Sequence, residues 1–106
     1  MEFNCGDVYK IDMEIKSPMG WVKLKGGLTI DEGTDFHGSV KLMGIEAEMK
    51  NCVRNGSDFK AQASPKLPFG ILEVSIEAAV AENGTVSGTA YAPRHKPMEL
   101  RGNISL

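Results

Sequence analysis

The chain has 106 residues with a formal net charge of −2, twelve basic against fourteen acidic side chains, and 42% apolar and 25% charged residues. That length predicts one domain able to bury a core without staples, and the even spread of charge leaves no basic block to grip nucleic acid and no acidic tail. No run approaches the roughly 20 apolar residues of a membrane helix, and Met1-Glu2-Phe3-Asn4-Cys5 does not read as a signal peptide, so a cytoplasmic location and no membrane partner are expected.

Cys5 and Cys52 precede the first predicted strand and end the fourth, which are not neighbours in a closed meander. A bridge needs Cα atoms within about 7 Å, so free thiols are expected. The two histidines, His37 and His95, fall in different halves and give no metal-ligand cluster. No cofactor is expected. Of three Asn-x-Ser/Thr sequons, at Asn55, Asn83 and Asn103, the first two are Asn-Gly and read as hairpin turns.

In chain order, the first strand is predicted from Tyr9, Ile11, Met13 and Ile15, which alternate with charged Lys10, Asp12, Glu14 and Lys16. After Ser17-Pro18-Met19-Gly20, the inward set is Val22, Leu24, Leu28 and Ile30; after Glu32-Gly33 it is Phe36, Gly38, Val40 and Leu42; after Met43-Gly44 it is Ile45, Ala47 and Met49. Asn55-Gly56 opens a second set: Phe59, Ala61 and Ala63; Leu72 to Val80 on even positions; Val86, Gly88, Ala90 and Ala92; and Met98, Leu100 and Ile104. Gly26-Gly27, inside a strand pattern, reads as a bulge or corner rather than a phosphate loop. No segment of useful length has a 3.6-residue period.

The two sets repeat each other. An ungapped shift of fifty positions superposes Gly6 on Gly56, Lys10 on Lys60, Lys16 on Lys66, Pro18 on Pro68, Gly20 on Gly70, Glu32 on Glu82 and Gly38 on Gly88. Glycine and proline hold special backbone conformations, so their coincidence points to coincident turns and an internal duplication. Short connections give an antiparallel meander, and closure removes exposed edges. The predicted fold is therefore all-β: an eight-stranded antiparallel up-and-down barrel made of two four-strand repeats, about 6–50 and 56–105. A two-fold assembly of half-open sheets is the structural alternative; a monomer or homodimer fits either.

The inward side chains of the second set are smaller than those of the first, so any cavity is expected on that side. No nucleophile, P-loop or zinc-protease motif is present, and the carboxylates fall on outward faces, so no catalytic residue is assigned. Candidate ligand-binding residues are Met13, Phe36, Ala63 and Ala90 inside, Tyr91, and Arg94 with His95 on a rim loop between Pro93 and Pro97. Trp21 joins them, either at a rim or pointing outward beside Lys23.

The Ser17-Pro18-Met19-Gly20 turn, followed by alternating Val/Leu and Lys and then Phe36-His37-Gly38-Ser39, is answered by Leu67-Pro68-Phe69-Gly70 and Val86-Ser87-Gly88-Thr89. This pattern resembles small repeated Pro-Met-Gly β-barrel modules of anaerobic bacteria, some attached to flavin- or nicotinamide-dependent oxidoreductases. In shape the predicted barrel is similar to a shrunken calycin of the lipocalin and streptavidin kind. Two functions follow as expectations: a non-enzymatic module binding a small apolar ligand in the barrel interior or mouth, or an accessory domain with a packed core that docks on a partner enzyme.

Overall fold

The computed structural model describes residues 2–33 and 35–106. It is all-β. Its strands are β1 (Val8–Ser17), β2 (Gly20–Ile30), β3 (Phe36–Leu42), β4 (Ile45–Glu48), β5 (Lys50–Asn55), β6 (Asp58–Ala63), β7 (Lys66–Leu67), β8 (Gly70–Ile71), β9 (Val74–Val80), β10 (Thr85–Tyr91) and β11 (Met98–Ser105). Among the described residues no helix is long and apolar enough to cross a membrane.

Nine strands form one antiparallel sheet in the order β4-β3-β2-β1-β11-β10-β9-β6-β5, and β7–β8 is a separate small hairpin that touches β4. The sheet curls until its ends almost meet. Those ends, β4 and β5, are consecutive in the chain, separated only by Met49. The Met49 amide donates to the Gly38 carbonyl at 2.9 Å, and Asp35 bridges to Val53.

Nine strands lie in the sheet where eight are expected, because the predicted fourth strand is divided at Met49 into β4 and β5. Asn51 adopts φ 51°, and the β5–β6 register slips between Lys50 and Val53. The extra residue of that slip bends β5 just after the break at Met49.

Alternation puts the expected side chains inside. Tyr9, Ile11, Met13 and Ile15 of β1 are all buried, as are Leu24, Leu28 and Ile30 of β2 and Val86 and Ala90 of β10. Two strand pairs, β1–β2 with β6–β9 and β2–β3 with β9–β10, share a register at an offset of fifty. Tyr9 faces Leu28 as Phe59 faces Ala78; Leu28 faces Gly38 as Ala78 faces Gly88; Gly26 faces Val40 as Ile76 faces Ala90.

The meander gives the sheet two unlike ends. One is plugged by residues 2–7. Phe3 packs edge-on against Tyr9 (ring centroids 5.4 Å apart) and Phe59 (5.0 Å), and Phe59 in turn meets Phe36 at 5.1 Å. The Gly6 amide donates to Ile30 O at 2.8 Å, tying the segment to the end of β2. Arg54 clasps the same end, donating to Gly56 O (3.1 Å) and Gly33 O (3.3 Å) with its guanidinium over the Phe3 ring. The opposite end carries the β1–β2, β3–β4 and β7–β8 hairpins and the loop 92–97.

The interior is nearly filled. An apolar void of about 40 Å³ lies inside, lined by Met13, Leu28 and Phe36 from the first half and Ala61, Ile76 and Val86 from the second, among others. The expectation that a cavity would lie on the second-half side is thus corrected. Ala63 and Ala90, only 3% and 0% exposed, do not line it.

Candidate functional site

Four exposed large apolar side chains sit at the hairpin end, while Val8, Val53 and Leu106 are exposed elsewhere. Met19 is 97% exposed, Phe69 75%, Ile71 63% and Met43 62%. Each sits on or beside a tight turn. In the β1–β2 turn, Ser17 Oγ accepts from the Met19 amide at 3.2 Å and donates to Gly20 O at 2.7 Å, locking Met19 at the apex. In the β3–β4 turn, Met43 (φ 54°) and Gly44 (φ 81°) are both left-handed, the pair that a two-residue hairpin matched to strand twist requires. Leu67 pairs with Gly70 and sets Pro68-Phe69 at the β7–β8 apex, while buried Leu67 anchors that hairpin.

Beside Met43, on the outer face of β2 and β3, lies a shallow groove of about 230 Å³ lined by Val22, Lys23, Lys25, Lys41, Met43 and Gly44. Lys25 stands directly across from Lys41. Like charges opposed on one face repel. The ladder places Glu14 across from Lys23, Asp12 across from Lys25 and Glu46 across from Lys41 on the flanking strands. Glu46 accepts a hydrogen bond from Ser39 Oγ at 3.0 Å. Among the described residues none of the three lysines forms an ion pair within 4.0 Å.

The two ends also differ in charge. At the plugged end, residues 2–7, 31–33, 35, 56–58 and 81–84 carry Glu2, Asp7, Asp31, Glu32, Asp35, Asp58 and Glu82, with the Arg54 guanidinium as the cation clasping that end. At the hairpin end, residues 64–73 and 92–97 carry Lys66, Arg94, His95 and Lys96 against Glu73.

The sequence-derived candidate residues are not brought together. Met13 and Phe36 line the interior void; Ala63 and Ala90 are buried away from it. Trp21 points outward, its ring covered by the Arg101 guanidinium 3.6 Å from the centroid. Tyr91 is on the outer face and donates to Glu77 at 3.3 Å. Arg94, left-handed at φ 66°, and His95 are exposed on loop 92–97. Sequence reading placed Met19 and Met43 at turns, but did not single out Phe69, Ile71 or the Lys25–Lys41 pair. Counting alternate turns of the meander as one end would have found the first two; the cross-strand lysines needed the register.

Two groups at the plugged end are perturbed. Burial pushes the Tyr9 phenol above its usual value, and the charge and hydrogen bond of Asp7 push it further. Its hydroxyl lies 3.2 Å from Glu2 O and 3.4 Å from Asp7 Oδ2. Burial likewise raises the half-buried Cys52 thiol, helped by the charges of Asp31 and Asp35; Cys5 is exposed and both thiols are free. His37 Nδ1 contacts Asp31 at 2.8 Å.

No protein-family model matches this chain, and no curated protein matches it.

Proposed function

We infer that the chain is a non-enzymatic docking domain. A filled, barrel-like scaffold presents the hairpins of one end, with Met19, Met43, Phe69 and Ile71 at their tips, to a larger partner surface. The observation that carries this reading is the contrast between interior and rim. The interior void is about 40 Å³, whereas an apolar cavity that takes up benzene measures about 150 Å³ and drug-sized ligands fill about 300–1,000 Å³. The rim meanwhile exposes Met19, Met43, Phe69 and Ile71 on the hairpins of one end. The competing reading, a small apolar ligand carried inside, lacks the volume. A docking role also agrees with the resemblance to modules attached to oxidoreductases.

We further infer that β4 and β5 serve as two halves of one bent stave. The sheet then closes as eight staves, and two duplicated four-strand units build them. The shared registers at an offset of fifty support this.

The test is a thermal-shift titration with a panel of small apolar compounds. The docking reading expects none to raise the melting temperature saturably. A saturable rise that Ala61→Leu, at the lining of the void, abolishes would establish an internal ligand and overturn it.

A further inference from the structure

We propose that the hairpin end docks on an anionic lipid bilayer, with Met19, Met43 and Phe69 entering between the headgroups and the Lys23–Lys25–Lys41 groove taking lipid phosphates. This rests on the docking reading and names its partner.

Three observations converge on that partner. First, the apolar tips are separate and protruding; Met19 is 97% and Phe69 75% exposed. A protein partner would need a matching pocket for each tip, whereas a bilayer needs only depth. Second, the groove of about 230 Å³ adjoins the Met43 tip, and its opposed Lys25 and Lys41 make no ion pair within 4.0 Å among the described residues. A phosphate between them relieves their repulsion, and lysine near an anionic surface attracts it. Asp12, Glu14 and Glu46 flank the lysines on the neighbouring strands and temper the attraction, so lipid charge and apolar insertion must act together. Third, the acidic loops of the plugged end are repelled by the same surface, which favours the hairpin end facing the lipid. The expectation of no membrane partner rested on the lack of a spanning segment and does not bear on surface docking.

The experiment is vesicle co-flotation of the full chain, using phosphatidylcholine vesicles with or without about 30% phosphatidylglycerol. The expected result is binding to the anionic vesicles only, lost at about 0.5 M salt. Partitioning should fall about tenfold in Met19→Ser/Phe69→Ser and in Lys25→Gln/Lys41→Gln, with neither melting temperature lowered. Four results would overturn the proposal: no flotation with anionic vesicles, equal flotation with neutral ones, insensitivity to both double variants, or displacement by millimolar inorganic phosphate, which would make the groove a free-anion site. Failure here with a clean thermal-shift panel leaves the docking reading standing with a protein partner. Flotation together with an internal ligand would retain the lipid surface and remove the filled-scaffold reading.

Discussion

Gly88 on β10 lies directly across from Ala78 on β9, so close that a Cβ on Gly88 would fall 2.7 Å from the Ala78 Cα and against the Glu77 carbonyl. Gly38 meets Leu28 in the same way, with 2.8 Å to its Cα. These contacts are to backbone, which cannot rotate away. Gly38→Ala and Gly88→Ala should each cost about 1–3 kcal/mol in chemical denaturation, through forced separation of the strands. Neighbouring Gly26 and Gly27 give an internal control. A Cβ at Gly26 meets Val40 Cα at 2.8 Å, but one at Gly27 meets only Tyr9 O at 3.4 Å. Gly26→Ala should destabilise; Gly27→Ala should be neutral or mildly stabilising.

Tyr9 predicts the alkaline limit of stability. Its phenol titrates above its usual value of 10.0 in the folded chain, because burial and Asp7 oppose the phenolate. In the unfolded chain it ionises near pH 10, so above that pH the unfolded state binds fewer protons and stability falls until the folded phenol also ionises. Denaturation midpoints should decline above about pH 9, first as the unfolded Cys52 thiol and then as the unfolded Tyr9 phenol ionises. Tyr9→Phe should lower stability by about 0.5–1.5 kcal/mol at neutral pH and reduce the alkaline decline.

The two thiols should react at different rates. Cys5 is exposed; Cys52 is half-buried, with its thiol held protonated by burial and by Asp31 and Asp35. Thiolate is the nucleophile, so a disulfide reagent at pH 7.5–8, about one unit below the ordinary thiol value, should label one equivalent quickly and a second slowly. Mass mapping should place the fast label on Cys5. Asp31→Asn/Asp35→Asn should speed the slow phase.

Much of the core was legible in the chain. Strict alternation from Tyr9 to Ile15 and from Leu24 to Ile30 fixes which face is buried, because the side-chain period of a strand is two and a slip of one residue would expose the whole set. The hairpin turns were legible wherever glycine or proline marked them. The break at 49–51 was not: Asn51 takes φ 51° without a glycine, and beyond it the half-buried positions move to Cys52 and Arg54. Phe3 carries no periodic signal either, since it plugs the barrel from outside any strand. The lysine groove depended on β2–β3 register, which opposes Lys25 and Lys41 although they are separated by a turn and fifteen intervening residues.

The central claim is a filled scaffold that works through its rim, and the most direct measurement is the melting of Ala63→Leu and Ala90→Leu beside the parent chain, each with and without a hydrophobic dye. Both alanines are buried, at 3% and 0% exposure, and neither borders the void. The account predicts that each leucine costs about 1–3 kcal/mol by overpacking, and that dye binding by the parent, if seen at the exposed tips, is unchanged by either substitution. Leucines that are tolerated or stabilising, and that abolish dye uptake, would show an interior pocket and contradict it.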